Sequence, residues 1–170
     1  LSHRYVLMSF DLRLVDPITE PIVPVVARVA ELLDRNPEGS FVVVVEDVLG
    51  DPVVIRNGPF MNDGRPMPTR YWLINKELIR RVSVLEGSGG VGRAEEAIES
   101  ELLAKTHESY AEERNSHIAD DYEGPRPFGG VGGTRRGVKC LHAHLAHYLA
   151  GGSDPVGEWV INQITEGAAQ

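Results

Sequence analysis

Three short runs rich in β-branched and aromatic residues constrain the fold of this chain more than any other feature. They span residues 41–45, 53–56 and 69–74, and each has the length and composition of a β-strand. A parallel crossover needs about a dozen or more residues, usually in a helix, whereas these connections are short and carry turn-forming glycine and proline. The sequence therefore predicts a three-stranded antiparallel meander.

Apolar residues at helical spacing flank these runs and predict four to five helices. One begins near Pro24, a second is capped by Asn75 and ends at Gly87, and an acidic third covers residues 94–114. A fourth covers residues 137–150, and a short fifth lies in the stretch DPVGEWVINQI. The predicted fold class is α+β, a three-stranded antiparallel meander packed against four to five helices in a single domain, residues 25–165. Residues 1–24 are expected to form a loosely ordered N-terminal extension.

Composition and charge exclude several classes of function. The net charge of −8 over 170 residues disfavours bulk binding to nucleic acid or to an anionic membrane. No apolar run approaches the roughly 20 residues that a transmembrane helix needs, and charges and prolines interrupt the N-terminal residues where a secretory signal would lie. The single cysteine cannot form an internal disulfide, which favours a reducing compartment. We therefore expect a cytoplasmic protein with no nucleic-acid or membrane partner.

Unlike the acidic chain as a whole, one stretch carries a net positive charge: GGVGGTRRGVKCLHAHLAHYLAGG, residues 129–152. Glycines let backbone N–H groups converge, a helix start adds unpaired donors, and guanidinium groups match phosphate or carboxylate. The spacing is not that of a P-loop. The alternative is a flexible connector whose arginines pair with the acidic helix. The anion site predicted here consists of Gly132, Gly133, Thr134, Arg135, Arg136, Lys139 and His142.

A second pocket is predicted in the stretch RNGPFMNDGRPMPTRYW, residues 56–72. The connection between its two strands is too short for a parallel crossover but long for a purely structural turn, and long ordered loops often carry function. If both loops lie on one side of the sheet, their arginines line one pocket. The residues predicted for it are Arg56, Asn57, Asp63, Thr69, Arg70 and Cys140.

The helix predicted after the glycine-rich loop places Cys140, His144 and His147 on one stripe. Thiolate and imidazole are zinc ligands, so the stripe is compatible with a metal site. It is more typical of a buried helix with hydrogen-bonded histidines and an inert thiol, the interpretation that we favour. No fourth ligand is indicated, and neither a metal nor a cofactor is assigned.

The two motif stretches, VVIRNGPFMNDGRPMPTRYWL and GGVGGTRRGVKCLHAHLAHYLAGG, resemble the bacterial, actinobacterial-type family catalogued as domain of unknown function 501. The resemblance extends over residues 29–159. The family has no established activity, so the resemblance implies kinship and leaves the function open. The positions that match its motifs are Pro59, Asp63, Gly64, Pro66, Pro68, Thr69, Lys139, Cys140, Leu141 and His142.

Together these patterns predict a small-anion-binding protein whose ligand is phosphorylated or carboxylated. The alternative is a non-catalytic protein–protein interaction module that binds an acidic partner or a second copy of the chain. A second alternative is a metal-dependent hydrolase. The sequence identifies no catalytic residue and leaves open whether the protein is an enzyme.

Overall fold

The computed structural model describes residues 10–16 and 21–166. These residues form a four-stranded sheet in which every strand pairs antiparallel with the next strand along the chain. The predicted meander is confirmed, with one strand more than expected. The extra strand belongs to the segment expected as an extension, where its Leu12 pairs with Asp47. The strands are β1 (Leu12–Leu14), β2 (Gly39–Asp47), β3 (Pro52–Met61) and β4 (Tyr71–Leu73).

Six α-helices accompany the sheet within the described residues, more than predicted, because the acidic helix is divided. Ile98 and Glu99 between its two parts have extended backbone angles. The first part begins at Gly90, which lies so close to the preceding helix that a Cβ would be 2.5 Å from the Leu85 carbonyl oxygen. The helices are α1 (Val23–Leu33), α2 (Lys76–Gly87), α3 (Gly90–Ala97), α4 (Ser100–Asn115), α5 (Leu141–Leu149) and α6 (Pro155–Glu166).

The helices cover the two faces of the sheet unequally. Helix α1 packs through Val29 and Leu32 on one face, against Phe41, Ile55 and Ile74. The larger core on the opposite face joins the sheet to α2, α5 and α6. No helix among the described residues is long and apolar enough to cross a membrane. Because more helices pack on it, the second face of the sheet carries the thicker layer.

Helix α5 lies at the centre of this thicker layer, packed against β4, α6 and α2. Its residues are buried almost all round, as expected for a core helix. It begins at Leu141 rather than near residue 137, because Gly137 has a left-handed φ of 64° and Cys140 is extended. The glycine-rich loop therefore continues up to Cys140, and this name is used below for residues 124–140.

The predicted long loop between the second and third runs is mostly a β-hairpin. Strand β3 continues to Met61, and Phe60 forms a β-bridge with Pro66. The Met61 amide donates to the Arg65 carbonyl oxygen and closes the turn. This geometry extends the tip of the hairpin beyond β4.

Candidate functional site: a basic groove beside the glycine-rich loop

The two motif loops meet at α4, where a buried arginine joins them. Arg114 is 1% exposed, and its guanidinium donates hydrogen bonds to the carbonyl oxygens of Pro68 at 2.9 Å and Pro127 at 3.3 Å. A planar guanidinium has five N–H donors, so one side chain can bind carbonyls from both loops. The loops therefore lie side by side, although sequence reasoning did not identify Arg114.

Arg70 and Asn57, both predicted to line a pocket, instead fasten the first loop. The Arg70 guanidinium donates to both carboxylate oxygens of Glu113 at 3.0 and 2.9 Å and to the Asn57 carbonyl oxygen at 2.6 Å. The Asn57 side-chain amide donates to the Thr69 carbonyl oxygen at 3.0 Å. Both Arg70 and Asn57 are buried, so the fold itself uses their polar groups.

The other members of the predicted second pocket lie apart. Asp63 accepts a hydrogen bond from Arg65 at 2.7 Å near the tip of the hairpin, and Arg56 pairs with Tyr71 across β3 and β4. Cys140 is the residue before α5. The structure does not bring the six predicted residues into one pocket, because the hairpin carries Asp63 away from the sheet.

An open groove of about 590 Å³ runs between α4 and the glycine-rich loop. Its charged side chains are Arg114, Arg126, Arg135 and Glu108, an excess of positive charge in an acidic protein. We call this surface the basic groove. It is lined by Ala104, His107, Glu108, Ala111, Arg114, Asn115, Arg126, Pro127, Phe128, Gly129, Gly130 and Arg135.

The two exposed arginines of the basic groove are held by uncharged partners. Arg126 donates to the Tyr122 carbonyl oxygen at 2.9 Å, and the Arg135 guanidinium lies 4.4 Å from the centre of the Phe128 ring. Among residues 10–16 and 21–166, neither arginine has a carboxylate within salt-bridge distance. The alternative in which these arginines pair with the acidic helix is therefore not observed there.

Arg135 also faces a smaller groove of about 410 Å³ on the other side of the glycine-rich loop. Arg136 and Gly137 line this groove together with Glu95. Thr134 belongs to the loop itself, where its hydroxyl donates to the Arg136 carbonyl oxygen at 2.8 Å. Two of the predicted basic residues thus lie at adjacent grooves.

The backbone donors that the sequence assigned to an anion largely have partners within the protein. The Leu141 amide, at the start of α5, donates to Glu86 Oε1 at 2.7 Å, and the Val138 amide donates to Glu95 Oε1 at 2.6 Å. Two carboxylates thus occupy the positions expected for the ligand, which satisfies the unpaired donors of a helix start. The Gly133 amide donates to the Gly130 carbonyl oxygen, so that donor also has an internal partner.

The remaining predicted members of the anion site point elsewhere. Lys139 is exposed and lines neither groove. His142 faces α2, where its Nδ1 lies 3.3 Å from Glu86 Oε1. The structure therefore keeps Arg135 and Arg136 close to Gly132, Gly133 and Thr134 in the loop, and separates Lys139 and His142 from them.

The stripe of Cys140, His144 and His147 does not converge either. Nδ1 of His144 and Nδ1 of His147 each lie 2.9 Å from the buried carboxylate of Asp154. Asp154 also accepts the Gly157 amide at 2.9 Å, at the start of α6. The two histidines thus hold α5 against α6, whereas Cys140 lies beside His142.

Sequence reasoning missed Asp154, although the DPVG stretch carries a signal for it. An aspartate before a proline is a favoured helix N-cap, and two histidines on the preceding helix are suitable partners. Burial would raise the pKa of Asp154, but hydrogen bonds from His144 and His147 outweigh burial and lower the pKa to about 2. Asp154 is therefore ionised in the folded protein at neutral pH.

Both loops and the basic groove lie within the residues that match a protein family. A family model described as "Protein of unknown function (DUF501)" matches residues 43–162, more than two thirds of the 170-residue chain. The chain belongs to the DUF501 family. No curated protein and no solved structure matches this chain.

The DUF501 match begins within β2 and ends within α6. It contains both motif loops and every residue that lines the basic groove. Strand β1 and helix α1 precede it. The groove therefore lies wholly in the part of the chain that defines the family.

Proposed function

We propose that this DUF501 protein binds a small anion of the phosphate or carboxylate class in the basic groove. The observation that carries the proposal is that Arg126 and Arg135 share the groove without a carboxylate partner in the described part of the chain. Buried Arg114 adds a third guanidinium to the wall. In a chain with a net charge of −8, such a local positive field attracts anions selectively.

The size and chemistry of the groove suit a small ligand. Its volume of about 590 Å³ lies within the roughly 300–1,000 Å³ of small-molecule sites. Arginine binds phosphate and carboxylate through parallel N–H donors in one plane. The Phe128 ring lies under the face of the Arg135 guanidinium, which limits its rotation and leaves its edge for the ligand.

His107 contributes shape rather than charge to this groove. Its Nε2 lies 2.8 Å from the Gly137 carbonyl oxygen, and its Nδ1 accepts the Val131 amide at 3.1 Å. Burial lowers the pKa of His107, which favours the neutral ring. The positive charge available to a ligand therefore comes from the arginines.

Isothermal titration calorimetry with inorganic phosphate, pyrophosphate and sulfate tests the proposal. We expect the wild-type protein to bind at least one of these anions, with an affinity that falls as salt concentration rises. Replacing Arg135 with Ala should weaken binding by roughly 10- to 100-fold, because hydrogen bonds to charged groups contribute about 1.5–3 kcal/mol. Arg126→Ala should weaken it in the same direction.

Arg65→Ala is the matched control, since Arg65 is exposed and paired with Asp63 on the hairpin. It removes one positive charge without touching the groove, and its binding should equal that of the wild type. Circular dichroism and thermal unfolding establish that each variant is folded. If folded wild-type protein releases no heat with any of the three anions, or if R135A and R65A bind equally, the proposal is wrong.

A second candidate function is docking of an acidic protein surface on the same groove. The observation that favours it is Phe128, a large aromatic side chain that is 57% exposed beside Arg135, because exposed aromatic and arginine side chains are frequent binding anchors. Phe128→Ala separates the candidates, because it removes the apolar anchor but keeps both arginines, so phosphate binding should weaken only through the freer rotation of Arg135. Phosphate binding that persists in F128A supports the small-anion proposal.

A further inference from the structure

A separate cluster of ligating groups lies where the end of α2 meets the start of α5. Glu86 is in the last turn of α2, Cys140 precedes α5, and His142 is in its first turn. A carboxylate oxygen, the thiol sulfur and a ring nitrogen of these three residues all lie within 4.8 Å of one another. In the described part of the chain, no other three Cys, His, Asp or Glu side chains are grouped in this way.

Hydrogen bonding orients the imidazole of His142 so that one nitrogen faces this cluster. Its Nε2 lies 3.3 Å from the Ile79 carbonyl oxygen and 3.1 Å from Ser83 Oγ. A carbonyl oxygen only accepts hydrogen bonds, so Nε2 carries a proton, and in the neutral ring Nδ1 then carries the lone pair. Metal-binding histidines commonly donate their second N–H to a backbone carbonyl in this way.

The Nδ1 lone pair faces another electron-rich atom. Glu86 Oε1 lies 3.3 Å from Nδ1, and this contact is favourable only with a cation between the two atoms, either a proton on Nδ1 or a metal ion that replaces it. About 3.3 Å is also the distance between two ligand atoms of a tetrahedral zinc ion whose bonds are about 2.0–2.1 Å long. Glu86 is already positioned, because its Oε1 accepts the Leu141 amide at 2.7 Å.

We propose that Glu86, Cys140 and His142 form a binding site for a divalent transition-metal ion, with zinc as the best chemical match. A sulfur and an imidazole ligand favour zinc-class ions over magnesium or calcium, which prefer oxygen ligands. One thiolate and one carboxylate balance the charge of the ion. The His142 and Glu86 side chains are 23% and 29% exposed, so water can occupy a fourth position. The thiol proton leaves to solvent when the metal binds.

This site is independent of the anion proposed for the basic groove. It is formed by α2 and the start of α5, whereas α4 and the loop around Phe128 form the groove. It also differs from the stripe of Cys140, His144 and His147, since Asp154 holds both of those histidines. Failure of either proposal leaves the other unaffected.

Titration of the tag-free, metal-depleted protein with Co²⁺ tests the site directly. We expect one equivalent to bind and to produce a sulfur-to-cobalt charge-transfer absorption together with the intense visible bands of tetrahedral cobalt. Excess Zn²⁺ should abolish these bands by displacement. Cys140→Ser should remove the charge-transfer absorption while it preserves the start of α5, because serine is a favoured N-cap.

Two further variants and one control keep the test decisive. Glu86→Gln retains an oxygen that accepts the Leu141 amide but loses the carboxylate charge, and His142→Gln removes the ring nitrogen. Each should weaken Co²⁺ binding by at least roughly tenfold. His117→Gln alters an exposed histidine on the turn after α4 and should titrate like the wild type. If folded wild-type protein shows no sulfur-to-cobalt absorption, or if E86Q and H142Q titrate like H117Q, the three residues form only a hydrogen-bonded helix cap and the proposal is wrong.

Discussion

At the scale of single residues, Arg114 on α4 is the basic side chain that joins the two loops. It is buried in α4 and binds one carbonyl oxygen from each loop. A buried guanidinium is stable when its N–H donors have partners, and here those partners are loop carbonyls. Arg114 therefore helps to position Arg126 and Arg135 in the basic groove, although its own guanidinium is buried in the groove wall.

Arg114→Lys should destabilise the protein and loosen the glycine-rich loop. Lysine keeps the charge but cannot donate along two directions in one plane, so we expect a loss of about 1.5–3 kcal/mol in the free energy of unfolding. Urea denaturation measures this loss, and trypsin should cleave after Arg135 and Arg136 faster than in the wild type. Arg93→Lys on α3 is the matched control, expected to lie within about 0.5 kcal/mol of the wild type. Unchanged stability and cleavage in R114K would contradict the assigned role.

At the scale of elements, the start of helix α5 determines which groups near the glycine-rich loop remain available to a ligand. Its first amide is satisfied by Glu86 from α2 rather than by its own N-cap residue, Cys140, which makes no side-chain capping bond. The first amide of the helix is therefore bonded within the protein and is not available to a ligand. The backbone amides in this region thus largely have partners within the protein, whereas the arginine side chains of the loop remain at the surface.

Glu86→Ala should cost about 1 kcal/mol of unfolding free energy, because the Leu141 amide loses its acceptor. Glu86→Gln should cost less, since the amide oxygen can still accept the bond. Urea denaturation in metal-free buffer compares the two variants with Glu96→Ala, which changes an exposed glutamate on α3. Equal stability of E86A and E96A would show that the start of α5 does not depend on this contact.

At the scale of the whole molecule, Asp154 links the packing of α5 and α6 to the pH of the solution. Its side chain is fully buried and bound by His144, His147 and the start of α6. Its pKa of about 2 in the fold is below the value of about 3.9 in an unfolded chain. Stability from this group is therefore present above about pH 4 and is lost as the pH falls towards about 2.

We expect Asp154→Asn to be less stable than the wild type at neutral pH, with a difference that narrows on acidification. The variant lacks the titration that the wild type undergoes, so the stability difference should narrow by about 1.2 kcal/mol by about pH 3, roughly half of the full effect of about 2.6 kcal/mol that is reached only below both pKa values. Urea denaturation at a series of pH values between neutrality and about pH 3 measures it. Asp120→Asn, at an exposed position after α4, should follow the wild-type curve. A constant difference between D154N and wild type across this range would contradict the depressed pKa.

The local pattern of the chain predicted the meander, the cap at Asn75 and the general course of the helices. Asn75 accepts the Leu78 amide at 3.0 Å as expected. The pattern did not predict the break at Ile98 and Glu99, because apolar packing of Ile98 against the core interrupts a segment that is otherwise helix-forming. It also did not predict β1, whose three residues are defined by their pairing with β2.

For the candidate site, the sequence indicated a local excess of arginine but not which groups meet in the folded protein. The excess of arginine in the glycine-rich stretch is a property of adjacent residues, but of the residues predicted for the anion site only Arg135 lines the basic groove, and Arg136 faces the neighbouring one. The partners of the loop amides, Glu86 and Glu95, come from distant parts of the sequence. Spacing along the chain carries no signal for such contacts.

By itself, the sequence determined most of the secondary structure and the local excess of positive charge, because both arise largely from residues that are neighbours along the chain. The tertiary structure decided which donors a ligand can reach, because a carboxylate from α2 or α3 satisfies an amide only after the helices have packed. It likewise decided that Asp154 joins the two histidines and that Cys140 lies with Glu86 and His142. Helical spacing places side chains on a face, but only packing selects the groups that meet there.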